Sequence, residues 1–177
     1  MSISKCASGF VLHSRPVKVR ASIGDWKMVL IAAFHKDRVL AWQFLPRNEM
    51  VNSVKYLEFL ENRLHPEIRR ARIHRPLILH DNASPHKQSA IKDFFNRHRW
   101  RVLRHPPYSP DLSPPDIDGF TKIKQPHKGV RYQNEAELIH AFEGTINEIN
   151  TKNSFKGIRS LPCRWEAVIQ DGGEYIK

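Results

Sequence analysis

The run from Lys27 to Phe34 constrains the fold more than any other stretch, because it is almost continuously apolar over the length of one strand. Such a run is typical of a strand buried on both faces of a sheet. The three polar residues 35–37 are short enough for a hairpin turn, and Arg38–Leu45 then supplies a second strand rich in Val, Leu, Trp and Phe. We therefore expect a sheet that other elements cover on both sides.

The residues after the hairpin alternate between helical and strand patterns. A helix capped by Asn52 or Ser53 precedes a short apolar strand, Leu77–His80. Ser84-Pro85 gives the start signal of a second helix, and a fourth strand follows from Trp100. This order predicts a mixed α/β sheet flanked by helices. The first helix is predicted to end near Leu64 and to bury residues at helical spacing, namely Val54, Leu57, Leu60 and Leu64.

The C-terminal part of the sequence predicts helices. A short helix is expected between Asp116 and Lys124, and Asn134 caps a longer amphipathic one. A last helix begins at Pro162 and ends at Gly172-Gly173. The predicted buried residues of the two longer helices are Leu138, Phe142, Ile146, Ile149, Trp165, Val168 and Ile169.

The N-terminal residues 1–22 are weakly patterned. Phe10–Leu12 and Val17–Val19 could form short strand pieces, but Pro16 and several serines argue against a long strand. We therefore predict a weakly structured segment 1–22, followed by one domain over residues 23–177.

The composition of the 177-residue chain favours one globular domain with a polyanionic partner. There are 29 basic and 18 acidic residues, giving a net charge of +11, and nucleic acid is the simplest partner for such a charge. A ribosomal-type protein or a merely soluble basic surface is the alternative. The two cysteines lack metal-ligand spacing, which indicates a reduced, intracellular chain. No apolar run is long enough to span a membrane, the longest being Met28–Phe34.

Two carboxylates stand in positions that suit metal chemistry. Asp81 follows the strand that ends at His80, and Asp116 ends a loop stiffened by five prolines, with 34 residues between the two acids. If the fold brings them together, they can hold divalent ions, which prefer oxygen ligands and can activate a phosphodiester. Each acid alone has an ordinary explanation, Asp81-Asn82 as a turn and Asp116 as a helix start.

Two strings around these acids resemble the catalytic core of mariner-type transposases. They are LILHDNASPH at Leu77–His86 and HPPYSPDLSPPD at His105–Asp116, and the 34-residue spacing is typical of that family. The resemblance implies a ribonuclease-H-like fold and three acids that bind two Mg²⁺ or Mn²⁺ ions. Asp81 would be the second acid and Asp116 the third. The implied activity is cut-and-paste DNA transposition in the nucleus, with transposon ends and target DNA as partners, and a second copy of the chain is a candidate partner.

The sequence also departs from the family pattern. No acidic residue precedes Asp25, although the family's first acid lies on a strand ahead of the hairpin, and Asp25 and Asp37 are poor substitutes. The family's N-terminal helix-turn-helix region is absent too. We therefore expect the C-terminal part of a catalytic domain, without its first strand, that does not cut DNA efficiently by itself. A catalytically inactive remnant or a co-opted nucleic-acid-binding protein is the alternative.

Basic residues follow directly on Asp116, where a DNA backbone must approach. They predict salt-sensitive and largely sequence-independent DNA binding, because phosphate contacts supply affinity without reading bases. A solvated basic face is the alternative. The predicted DNA-binding residues are Lys122, Lys124, Lys128 and Arg131. A second basic stretch, Glu67–Arg75, is interpreted as a solvated connector that could also touch phosphate.

Overall fold

The computed structural model describes residues 10–13, 17–20, 27–79, 88–103, 119–152, 155 and 159–170. Within those ranges six strands form one sheet, and helices pack on both of its faces. The predicted mixed α/β sheet flanked by helices is therefore confirmed. None of the helices in the same ranges has both the length and the apolar character that crossing a membrane requires.

The sheet is built around one long strand. β3 pairs antiparallel with β1, β2 and β4, β1 pairs parallel with β5, and β5 pairs parallel with β6. Because β4 occupies one edge of β3, β1 and β2 pair with successive parts of the other edge. The strands are β1 (Phe10–His13), β2 (Val17–Arg20), β3 (Lys27–His35), β4 (Val39–Leu45), β5 (Leu77–Leu79) and β6 (Arg101–Leu103).

The predicted absence of a strand ahead of the hairpin needs correction. β1 lies between β3 and β5, with Leu12 opposite Phe34 on one side and Leu79 on the other. The strand is only four residues long, and a second four-residue strand that pairs with β3 begins at Val17. The sequence indicated only a short strand piece at Phe10–Leu12, and the pairing of β1 with β3 and β5 is what places this strand in the sheet.

Helices alternate with the strands in the order expected. A helical stretch from Ser53 to Arg70 contains a π-helical turn and precedes β5, and its N-cap Asn52 accepts a hydrogen bond from the amide of Lys55 (2.9 Å). The predicted start at Ser84-Pro85 lies outside the described residues, and the helix itself begins at Ser89, after the extended backbone of Gln88. The helices are α1 (Ser53–Phe59), the π-helical turn Leu60–Leu64, α2 (His65–Arg70), α3 (Ser89–Arg97), α4 (Phe120–Lys124), the 3-10 turn Gln125–His127, α5 (Glu135–Lys152) and α6 (Leu161–Gln170).

The core lies in two layers on either side of β3. Leu30 and Phe34 face α4 and α5, whereas Ile31 and Ala33 face α1, α2 and α3. Every residue from Met28 to Phe34 is at most 4% exposed, so the prediction of a strand buried on both faces is confirmed. The buried face predicted for α5 is also confirmed.

Two residues predicted to be buried are exposed. Val54 is 63% exposed because the first helix buries Tyr56 and Phe59, and Val54 lies two positions before Tyr56 on the opposite side of the helix. Ile169 is 71% exposed on the last turn of α6. The prediction placed Val54 on the buried face because it considered only the aliphatic residues. The aromatic residues Tyr56 and Phe59 mark the face that is buried.

A side-chain amide ties α5 to the edge strand of the sheet. Asn150 Oδ1 accepts a hydrogen bond from the amide of Val39 (2.7 Å), and Asn150 Nδ2 donates to the Val39 carbonyl (3.2 Å). The carboxamide thus pairs with β4 as a neighbouring strand would. This contact fixes the C-terminal end of α5 against the hairpin and occupies the outward-facing backbone groups of Val39 at the edge of β4.

Candidate functional site

Three parallel strands define the edge at which a site is expected. β1, β5 and β6 run in the same direction, so their last residues, His13, Leu79 and Leu103, lie at one edge of the sheet. We call it the carboxyl edge, the side on which ligands usually bind in open α/β sheets. The chain leaves this edge towards Asp81 after β5 and towards Asp116 after β6. Both segments that carry a predicted catalytic acid therefore start from the same place.

The two predicted acids lie outside the described residues. The roles of Asp81 and Asp116 as catalytic residues and metal ligands therefore stay predictions, and Asp25 is outside the described ranges as well. Across the part of the chain that is described, no cluster of three or more His, Cys, Asp or Glu side chains could hold a metal ion. β1, β5 and β6 contain neither Asp nor Glu. The hard oxygen ligands that Mg²⁺ prefers would thus come from the segments beyond the strands.

Asp37 lies at the wrong end of the sheet to replace the missing first acid. Val11 in β1 is opposite His35 in β3, so the hairpin turn that holds Asp37 lies beyond the amino end of β1. The Asp37 carboxylate is also ion-paired, with Arg159 Nη2 at 2.9 Å. Asp37 therefore serves to join the hairpin to the C-terminal region and is far from the carboxyl edge.

The segment that follows Asp116 is anchored on the core by Gly119 and Phe120. A Cβ atom added to Gly119 would lie 2.7 Å from Cε1 of Phe34, so only glycine allows this close approach. Phe120 packs edge-to-face on the same Phe34 ring, with ring centroids 5.3 Å apart, and Phe155 packs on it as well. Three residues after the predicted third acid, the chain is thus held in contact with the centre of the sheet.

The four predicted DNA-binding residues differ in exposure. Lys124, Lys128 and Arg131 are exposed, whereas Lys122 is only partly exposed. The Lys122 ammonium lies 5.8 Å from the centroid of the Phe155 ring, a cation–π arrangement that ties it to the core. Because Phe155 also contacts Phe34, Lys122 helps to fix α4, while the other three side chains lie at the surface.

A half-buried histidine holds the turn that carries Lys128 and Arg131. The ring of His127 stacks on Phe142 of α5, with centroids 3.8 Å apart and planes at 11°. Its Nδ1 is hydrogen-bonded to the Tyr132 hydroxyl, and its Nε2 to Thr145 Oγ1 (2.9 Å). Since Thr145 donates its own proton to the Ala141 carbonyl, Nε2–H donates to Thr145 and Tyr132 donates to Nδ1.

This network favours the neutral imidazole. Burial lowers the pKa of His127, and burial together with the nearby Glu137 carboxylate raises the pKa of Tyr132. Tyr132 therefore remains a donor, and a second proton on His127 would turn the acceptor Nδ1 into a competing donor. The basic turn is held by a group that titrates, and its position is expected to depend on pH.

The comparisons with known proteins identify the family. The family model described as DDE superfamily endonuclease matches residues 11–139. The chain belongs to the DDE superfamily endonucleases. It is 30% identical to the Mariner Mos1 transposase of Drosophila mauritiana over 157 residues, which are 85% of this chain and 45% of that relative. The chain therefore spans less than half the length of that relative.

Solved structures of the same relative share the fold of this DDE-family domain. A structure of the Mos1 transposase catalytic domain with Raltegravir and Mg superposes with a TM-score of 0.86 at 26% identity, covering 97% of this chain and 87% of that one. A Mos1 transposase paired-end complex with left transposon end gives a TM-score of 0.80 at 25% identity, covering 97% and 57%. The predicted resemblance to a mariner-type catalytic domain is confirmed.

Several groups that position the site of this DDE-family domain could not be found from sequence patterns. Gly119 and His127 act through contacts with Phe34 and Phe142, which are distant along the chain, and neither stands in a recognisable pattern. His127 lies in a stretch rich in basic residues, so its sequence context does not distinguish it from the surface residues around it. A groove of about 570 Å³ beside β4, lined in part by Trp42, is not formed by any of the predicted site residues.

Proposed function

We propose that this chain is the catalytic-type core of a mariner-like transposase and binds duplex DNA along the carboxyl edge. One observation carries the proposal: the segments bearing Asp81 and Asp116 both leave that edge, and the anchored α4 and its basic turn follow directly after Asp116. The net charge of +11 supports a nucleic-acid partner, and the paired-end structure supports transposon ends as the relevant DNA in the family.

Each part of this edge has its own task. Asp81 and Asp116 would hold Mg²⁺ or Mn²⁺, which lowers the pKa of an attacking water or 3′-hydroxyl and stabilises the leaving oxygen. The contact of Gly119 with Phe34 fixes where the segment after Asp116 enters α4. Lys124, Lys128 and Arg131 bind phosphates next to the acids, and the His127 network holds their turn. Positioning and charge thus account for the protein's contribution to phosphodiester chemistry.

The parent activity is metal-dependent DNA cleavage and strand transfer in cut-and-paste transposition. The substrates are transposon ends and target DNA, and the site of action is the nucleus, where chromosomal DNA resides. Support comes from the Mg-containing Mos1 catalytic-domain structure and from the hard-oxygen character of the two predicted ligands. Fluorescence imaging of a tagged full chain tests the location, and exclusion from the nucleus contradicts it.

A second candidate function is nucleic-acid binding without catalysis. The observation that favours it is the sequence of β1, Phe-Val-Leu-His, which places no carboxylate on the strand beside β5. The first acid of the family then has no counterpart on the strand nearest to the segment of Asp81. Metal-dependent nicking of DNA separates this candidate from an active endonuclease, whereas DNA binding is common to both.

The binding proposal is tested by removing the exposed charges near α4. We expect the variant with Lys124, Lys128 and Arg131 replaced by alanine to bind a 30-base-pair duplex more weakly. The slope of log affinity against log salt should fall by about 2 to 3, because each lost phosphate contact removes about 0.9. Fluorescence anisotropy titrations between about 50 and 200 mM salt measure this slope.

The matched control removes the same number of charges elsewhere. Arg38, Lys92 and Lys152 are exposed and lie on the hairpin, on α3 and at the end of α5. Their alanine variant should keep the wild-type slope. Equal losses of slope in the two variants would mean that DNA binding depends only on the net charge of the chain. An unchanged slope in the variant of Lys124, Lys128 and Arg131 would contradict the carboxyl edge as the DNA-binding face.

A further inference from the structure

Seven exposed arginines gather at the edge of the sheet opposite to the carboxyl edge. β5 and β6 are parallel and begin at Leu77 and Arg101, so the chain that enters these strands lies at their amino ends. We call the group the amino-edge arginines. The segments 65–76 and 97–101 hold all seven and only one acid, Glu67. The members are Arg69, Arg70, Arg72, Arg75, Arg97, Arg99 and Arg101.

Contacts between the two segments bring these arginines together. The amide of Arg101 donates to the Pro76 carbonyl (3.0 Å), which joins the entries of the two strands. The rings of His65 and His98 lie 4.1 Å apart, so α2 and the end of α3 are neighbours. Arg69 is close enough to His65 to help lower its pKa, after burial and His98. The arginines of both segments therefore form one surface.

Little negative charge balances this surface. Arg70 is ion-paired with Glu67, and it is the only one of the seven for which the described residues provide an ion pair. Arginine is also better suited than lysine to bind phosphate, because its planar guanidinium donates two parallel hydrogen bonds. The surface therefore has the charge and the donor geometry that a phosphate backbone requires.

The backbone of three of these arginines is strained. Arg72, Arg75 and Arg99 have φ values of 53°, 50° and 55°, in the left-handed region, and Asn48 is the only other non-glycine residue of this kind in the described ranges. L side chains are sterically disfavoured there. Strain of this type persists only where the surrounding structure maintains it, and it is concentrated at functional sites.

Two of the strained positions are ones at which glycine is the usual residue. Arg72 follows the C-cap of α2, and Arg99 follows that of α3. The amides of Ile73 and Trp100 donate to the carbonyls of Ile68 (3.1 Å) and Phe95 (2.8 Å), which completes a Schellman motif at each helix end. At both helix ends, arginine thus occupies a position that glycine would adopt without backbone strain.

We propose that the amino-edge arginines are a second DNA-binding surface, which contacts the phosphate backbone of a duplex. It lies opposite to the face of the proposed function and depends on that function only for the choice of DNA as the nucleic acid. The domain can then hold one duplex segment at each edge of the sheet. Contacts at the amino edge are to phosphates and are independent of base sequence.

The most direct test replaces two strained arginines by glycine in the full chain, which removes two charges and relieves the backbone strain. In the double variant Arg72→Gly/Arg99→Gly, the salt slope of binding to a 30-base-pair duplex should fall by about 1 to 2. The melting temperature should rise by about 2–4 °C, because glycine relieves the left-handed backbone. Asn48→Gly, at the other left-handed position, should also raise the melting temperature but leave the slope unchanged. Arg72→Lys/Arg99→Lys should keep the slope, since the charges remain.

The outcome separates this surface from the carboxyl edge. The glycine pair is also combined with the alanine variant of Lys124, Lys128 and Arg131, and the two losses of slope should add. If the glycine pair lowers the slope and the alanine variant does not, the inference of a second surface is supported. The carboxyl edge is then refuted as the DNA-binding face of the proposed function. A glycine pair with the wild-type slope overturns the inference, as does tenfold tighter binding of duplex RNA than of duplex DNA to the wild-type chain.

Discussion

Replacing Gly119 by alanine should displace the chain where it enters α4. The new Cβ would lie 2.7 Å from Cε1 and 2.9 Å from Cζ of Phe34, roughly 1 Å inside the ordinary carbon–carbon contact distance. Phe34 cannot retreat easily, because it is fully buried and the rings of Phe120 and Phe155 pack against it. Overpacking of this kind costs about 1–3 kcal/mol, so the melting temperature should fall by about 2–12 °C.

Urea unfolding of the full chain measures this change, and two further variants identify its cause. Gly144→Ala in α5 is the matched control: its Cβ would meet no atom within 4 Å, so it should stabilise the helix by about 0.5–1 kcal/mol. Phe34→Leu in the Gly119→Ala background should recover stability, with a coupling of about 0.5–3 kcal/mol between the two sites. If Gly119→Ala is as stable as the wild-type chain, residue 119 does not contact Phe34 and the proposed anchor is wrong.

Three further predictions concern the elements that hold the site. Asn150→Ala should destabilise the chain by about 1–3 kcal/mol in urea unfolding, because the buried amide of Val39 loses its acceptor, whereas the exposed Asn147→Ala should change little. Asn134→Ala should cost about 1 kcal/mol by the same measurement, because Asn134 Oδ1 caps α5 through the amide of Glu137 (2.8 Å). The pKa of His65 is lowered by burial, His98 and Arg69, and that of His127 by burial. The unfolded chain therefore binds more protons, so stability should be greatest above about pH 6.5 and fall as the pH drops below it, and a flat profile between about pH 7.5 and 5 would contradict this.

Elements whose own residues are buried on a regular pattern could be predicted from the sequence. β3 was predicted because both of its faces are covered, which leaves an unbroken apolar run. α5 was predicted because its cap at Asn134 and its buried residues Leu138 and Phe142 follow the helical period. The four residues of β1 indicated a short strand piece but not its place in the sheet, because that place depends on pairing with β3 and β5.

The candidate site was only partly predictable for a similar physical reason. The strings around Asp81 and Asp116 carry the family resemblance, and the basic residues follow in sequence, so local pattern is sufficient for them. The contact of Gly119 with Phe34 and the hydrogen bonds of His127 join residues whose proximity exists only after folding. The amino-edge arginines likewise come from two segments that only the pairing of β5 with β6 brings together.

Nicking of supercoiled plasmid DNA tests the central proposal most directly, namely that the chain binds DNA but has no counterpart of the first acid that efficient cleavage needs. The wild-type chain, Asp81→Ala and Asp81→Ala/Asp116→Ala are compared with Mg²⁺ and with Mn²⁺ at equal protein concentration. Loss of one charged ligand group of this kind should lower the rate at least about a thousandfold, so the wild-type chain should nick DNA no faster than the double variant. Robust metal-dependent nicking that disappears in Asp81→Ala would contradict the account and would mean that Asp25 or another chain supplies the first acid.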